Sequence, residues 1–109
     1  LWRRVAIDQC NGRPYCDRGV SAAVTAIPGG VIAGHLDGRL RAYSRDKGKV
    51  LWSVDTTKPV RTLSGKDASG GSMSGPGAAV YGRHVVVNSG YGLYYHMPGN
   101  LLMVFEKAQ

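Results

Sequence analysis

Only one phenylalanine and two cysteines occur among the 109 residues, and no apolar run approaches the length of a membrane span. A bilayer-crossing helix needs about 18 or more consecutive apolar residues, so no membrane span is expected. Residues 1–20 carry no basic-then-apolar leader. No block of five like charges appears, which excludes a basic tail. His35, His84 and His96 do not have metal-ligand spacing, and Cys10 and Cys16 are too few and too far apart for a usual metal site. No base lies near either thiol in sequence. These absences leave no expected catalytic residue and no expected metal ligand in this chain.

What the chain has in excess is glycine and positive charge. Its 16 glycines and 5 prolines favour short strands joined by turns over long helices. The net charge of +7 comes from 14 Lys and Arg against 7 Asp and Glu, scattered along the chain. A nucleic-acid module would place that charge on one face beside aromatic platforms. Tyr91, Tyr94 and Tyr95 are aromatic, but Leu93, Met97 and Pro98 around them bring no charge, so no nucleic-acid partner is expected. Cys10-Asn11-Gly12-Arg13-Pro14-Tyr15-Cys16 is rich in turn formers. A disulfide across this loop is one reading and two inert thiols the other. The disulfide implies an oxidising compartment, periplasmic or secreted.

The strongest internal signal is a repeat. Leu1-Trp2 recurs as Leu51-Trp52, an offset of 50 residues. A small-residue segment follows each pair, Ser21 to Val24 and Gly77 to Val80. Each segment turns, at Pro28-Gly29-Gly30 or Tyr81-Gly82-Arg83, into an apolar run and then a further strand. Four short strands in 40–50 residues read as all-β, antiparallel propeller blades. Strands are expected over 21–27, 31–36, 39–44 and 50–55, then over 77–81, 84–89 and 100–106. Residues 1–7 read as the outer strand of an upstream blade, 8–57 as a complete blade with the cysteine loop, and 58–109 as three strands of a last blade. Asp37-Gly38 is the tightest hairpin signal. A closed ring needs at least about four blades. Strand counting therefore predicts a fragment of a longer polypeptide or a self-assembling chain, its partners being the rest of a propeller or further copies of itself.

Gly34 through Tyr43, followed by Lys47-Gly48-Lys49-Val50-Leu51-Trp52, resembles the blade repeat of quinoprotein dehydrogenases. That repeat runs Gly-x-x-Asp-Gly-x-Leu-x-Ala-x-Asp and then Thr-Gly-Lys-x-x-Trp. Ser44 stands where Asp is usual and Lys47 where Thr is usual. The family's tryptophan docks one blade on the next, which the resemblance assigns to Trp2 and Trp52. Cys10-Asn11-Gly12, Ser21 through Pro28, Gly70-Gly71-Ser72, Gly75-Pro76-Gly77, Val87 through Gly92 and Met97 through Asn100 resemble the C-terminal end of the polyvinyl alcohol dehydrogenase family. The resemblance implies an eight-bladed ring, pyrroloquinoline quinone near its axis, a Ca²⁺ ion, a catalytic Asp and a cytochrome partner. The family's Asp and metal ligands lie upstream and have no counterpart here, so this chain alone is expected to be inactive. A non-catalytic propeller acting as a binding or assembly scaffold is the rival reading.

Loop lengths separate the two ends of the expected blades. Turns at 28–30, 44–49 and 81–83 are short, whereas the connections over 8–20, 56–76 and 90–99 are long. Long loops on a rigid scaffold either build a binding site or pack the rim. Gly71, Ser72, Gly90, Tyr91 and Met97 are the candidate cofactor-side residues. Glycine permits close approach of a planar group, and Tyr91 or Met97 either contacts a quinone ring or packs.

Overall fold

In a computed structural model, which describes residues 2–3, 9–91 and 95–107, every regular element among the described residues is a strand. Four consecutive strands, β1 (Thr25–Ile27), β2 (Gly30–Gly34), β3 (Arg39–Ser44) and β4 (Val50–Asp55), form one antiparallel sheet in chain order. A two-stranded hairpin follows, β5 (Val60–Arg61) with β6 (Asp67–Ala68). The second sheet is β7 (Ala79–Tyr81), β8 (His84–Ser89) and β9 (Leu101–Glu106), again in order.

Local chemistry sets these elements. Gly29 has φ +81° and Gly38 φ +85°, the left-handed conformation that tight hairpins demand and glycine adopts freely. The Asp37 carboxylate accepts the Arg39 N–H at 3.0 Å, fixing the β2–β3 turn from its own side chain. In β3 the residues alternate: Leu40 and Ala42 join the core, while Arg41 pairs with Asp37 and Tyr43 meets Trp2.

The two sheets repeat one another in register. Ile27 faces Gly30 and Val31 faces Tyr43; correspondingly Tyr81 faces His84 and Val85 faces Phe105. Gly34 opposite Leu40 becomes Asn88 opposite Leu102. The sheets stack face to face over Ile32, Leu40, Ala42, Met73 and Val87, with Val54, Val85, Met103 and Phe105 packed around them. Burying side chains of this size contributes about 1.5–3 kcal/mol each.

Two expected strands are shorter than their sequence pattern. Residues 21–24 and 77–78 lie outside β1 and β7 because the two segments approach each other rather than extend their ladders. Thr25 Oγ1 donates to Ala78 O at 2.5 Å, and a Cβ on Gly77 would overlap the Ala23 carbonyl. The long 56–76 connection carries the β5–β6 hairpin, two residues per strand and joined by an exposed Arg61–Asp67 ion pair at 2.9 Å. Strands that short leave no readable alternation. The strand expected over 1–7 lies mostly outside the described residues, of which Trp2 and Arg3 are its members.

Candidate functional site at the loop end

The long connections meet at one end of the sheets. Arg13, in the cysteine loop, donates to Thr57 Oγ1 (2.8 Å), Cys10 O (2.9 Å), Gln9 O (2.9 Å) and Asp37 O (3.3 Å). Beneath it, buried Asp37 takes both Arg41 guanidinium nitrogens, at 3.2 and 2.8 Å, and the Gln9 N–H at 3.1 Å. Burial pushes the Asp37 carboxyl up, but the Arg41 and Arg39 hydrogen bonds, the Arg41 charge and the Gln9 N–H together hold it below the usual carboxylate range. His35, 3% exposed, meets Tyr43 OH through Nε2 at 2.9 Å, and its Nδ1 has no hydrogen-bond partner. Burial and then the Arg41 charge lower its pKa to about 4, against a smaller opposing pull from Asp37. His35 is a neutral imidazole at pH 7, and Asp37 is a paired anion. Neither is poised as a general base.

Gly71, Ser72, Gly90, Tyr91 and Met97 are brought together by the fold. Ser72 N–H donates to Met97 O (3.0 Å), Met97 N–H to Ser72 Oγ (3.1 Å), and Gly90 N–H to Ser72 O (3.1 Å). Ser72 Oγ in turn donates to Leu36 O at 2.5 Å, tying the second repeat to the first. A Cβ on Gly71 would overlap the Met97 and Pro98 carbonyls, and one on Gly90 would overlap the Gly99 backbone. Four of the five are buried and turned on one another; Tyr91 is 62% exposed.

Sequence reasoning missed the hydroxyls that connect this cluster to the first sheet. Thr56 Oγ1 lies 2.6 Å from both Gly38 O and Ser89 Oγ, and Ser89 Oγ lies 3.0 Å from Gly71 N and O. Two hydroxyl protons cannot serve all three oxygen–oxygen contacts. The consistent assignment by distance runs from Gly71 N–H to Ser89, from Ser89 O–H to Thr56, and from Thr56 O–H to Gly38 O. This relay joins the sheets through fully buried polar groups. Its only sequence trace is Thr56 following β4.

Cys10 and Cys16 are joined in a disulfide with Cα atoms 5.5 Å apart, which fits an oxidising environment. At the opposite, short-turn end, Trp2 donates Nε1–H to Arg45 O at 2.6 Å and lies 6.4 Å from the Tyr43 ring. Trp52 meets Phe105 edge-on at 5.2 Å. Tyr43 and Phe105 are register equivalents, so each tryptophan faces the third strand of the unit after it.

No group of three or more His, Cys, Asp or Glu among the described residues is placed to hold a metal ion. A cavity lined by Ser72, Met73, Ser74, Gly75, Pro76, Asn88 and Tyr91 measures about 30 Å³, room for one or two waters and not for a tricyclic quinone. Among the candidate residues, Ser72 and Tyr91 line this small cavity and do not enclose a quinone in it. What the described residues define is a pair of stacked antiparallel sheets, each met by one tryptophan at its third strand.

Compared with known proteins, the chain is close in sequence to polyvinylalcohol dehydrogenases. It is 50% identical over 78 residues to the enzyme of a Pseudomonas species, and 47% identical over 78 residues to that of Sphingopyxis sp. strain 113P3. Each match covers 71% of this chain and 12% of the relative's length. No protein-family model matches the chain, and no solved structure matches it.

Proposed function

We propose that this chain is a two-blade segment of a quinoprotein dehydrogenase propeller that oxidises a polymeric alcohol. The observation that carries the reading is near-50% identity to two polyvinylalcohol dehydrogenases. The repeated tryptophan contacts support the propeller part of it. Pyrroloquinoline quinone with Ca²⁺, held by other blades of an eight-bladed ring, supplies the two-electron oxidation of the alcohol carbon, and a cytochrome accepts the electrons. The segment's own part is scaffold and a portion of the cofactor-side face. Ser72, Gly71, Gly90 and Met97 build the rigid floor of that face through their mutual hydrogen bonds, and Tyr91 is the member whose side chain reaches solvent. The disulfide supports a periplasmic or secreted location.

The test is reconstitution of the full polypeptide that carries this segment, with pyrroloquinoline quinone and Ca²⁺, followed by dye reduction on polyvinyl alcohol. Turnover requiring both additions is the expected result. Failure to take up the quinone, read by absorbance of the desalted protein, overturns the reading.

A further inference from the structure

We infer that the exposed tyrosines of the loop end, Tyr15 and Tyr95 with Tyr91 beside them, form a contact track for an uncharged, hydroxyl-bearing chain, apart from the place of oxidation. The identity of the chain rests on the polymeric-alcohol reading above.

Tyr15 comes from the disulfide loop and Tyr95 from the 91–98 loop, so the pair spans the two repeats. Their rings stack with centroids 6.5 Å apart and planes 22° apart, yet the residues are 58% and 85% exposed. Both hold left-handed backbone, φ +60° for Tyr15 and +63° for Tyr95. That conformation is uncommon and unfavourable for a non-glycine residue, and at this exposure core burial does not offset it. The described residues on either side anchor both rings. The Cys10–Cys16 disulfide and the Arg13 hydrogen bonds fix one loop. The other loop is closed at its base by Gly99 N–H to Gly90 O at 3.0 Å and by the Ser72–Met97 pair. A rigid base that displays stacked rings to water is how a scaffold presents a surface for binding.

Tyr91, four residues from Tyr95, lies within about 14 Å of it along the chain. It lines an open cleft of about 450 Å³ with Leu63, Leu102, Thr62, Ser64 and Asn100. The cleft mixes apolar side chains with hydroxyl and amide groups, and its Lys66 and Asp67 are of opposite sign. Near the stacked pair, Arg13 is spent on four acceptors and Asp17 faces His96 Nδ1 at 3.7 Å. Charged ligands are bound by free Arg or Lys. Tyrosine instead offers a flat apolar ring and a phenol that both donates and accepts. A chain alternating CH₂ with CHOH matches both halves of that side chain.

The test uses the full polypeptide carrying the double variant Tyr15→Asn, Tyr95→Asn. Asparagine tolerates left-handed backbone, so the melting temperature is expected to hold while the rings are lost. Electrophoretic retardation in gels containing polyvinyl alcohol is expected to weaken at least about fivefold in apparent Kd, and KM for the polymer to rise in parallel. Pentane-2,4-diol, too short to reach from the track, is expected to keep its kcat and KM. Unchanged retardation with unchanged polymer KM overturns the track, as does an equal loss on diol and polymer. Tyrosine-dependent retardation without oxidation of either alcohol sinks the catalytic reading and leaves the track standing.

Discussion

Leu40 and Leu102 sit at the same register of the same three-strand unit, yet Leu40 is fully buried and Leu102 is 61% exposed. Ile32 and Val86 differ in the same direction, 4% exposed against half-buried. Pairing accounts for part of this, since β3 lies between β2 and β4 whereas β9 is the edge of its three-stranded sheet; the faces account for the rest. Met73 and Val87 lie across from the first sheet, and no described residue lies across from the second in the same way. The tryptophans repeat the contrast. Trp2 is covered by Gly48, where a Cβ would overlap the indole, whereas Trp52 opens onto a cleft of about 430 Å³ with Phe105, Glu106 and Lys107. Burial in this molecule is set between repeats as well as within them.

The sharpest way to break the comparison is to truncate both leucines. Leu40→Ala is expected to cost about 2–5 kcal/mol, the loss typical of a buried leucine, and Leu102→Ala within about 0.5 kcal/mol, as at exposed sites. Urea unfolding of the two variants decides it, and equal losses would mean that the second face is covered in solution.

The equivalent positions His35 and Ser89 supply the next test. His35 binds its proton less readily folded than unfolded, so the unfolded state carries more protons below pH 6.5. The stability it contributes is fully present above pH 6.5 and is lost as pH falls toward about 4. The loss amounts to about 3 kcal/mol at most. Below that window Asp37 and Asp55, both held under the usual carboxylate range, continue the decline. His35→Phe is expected to flatten the slope between pH 6.5 and 4, whereas Ser89→Ala leaves it in place. Thermal melts across that range read the difference.

Smaller effects follow from the connections. Reducing Cys10–Cys16 is expected to cost about 2 kcal/mol for so short a loop, seen as a lower melting temperature with dithiothreitol. Thr56→Val removes the middle of the hydroxyl relay. Losing its two buried hydrogen bonds, to Ser89 and to Gly38 O, is expected to cost about 1–3 kcal/mol, with hydrogen exchange at Gly71 rising as its acceptor Ser89 loosens.

The sheets were legible in the sequence because their signals are local: Asp37-Gly38 marks one hairpin, Pro28-Gly29 another, and the tryptophan offset marks the repeat. Residues 21–24 were read as strand from their small side chains, which instead serve close packing against Gly77 and Ala78. Asp37 was legible as a turn residue but not as the anion buried under Arg41, although Asp and Arg four apart across a two-residue turn hints at it. The Thr56–Ser89 contact joins residues 33 apart, and no pattern within one repeat announces it. Gly71, Ser72, Gly90, Tyr91 and Met97 were singled out from long, glycine-rich loops as a cofactor-side face. That most of them bond to each other was not readable, since glycine that admits a ligand and glycine that admits another backbone look alike in one dimension.

The hairpin order of the first sheet has a consequence in time. β1 to β4 pair only with their sequence neighbours, so this sheet can form as soon as residue 55 is clear of the ribosome. Leu40 and Ile32 then wait for Met73 and Val87, which at about 5–20 residues per second arrive some seconds later. During that interval the nascent chain shows a finished sheet with one bare oily face. Holding that face apart from its neighbours on the ribosome is a task for the cell before it is one for the fold.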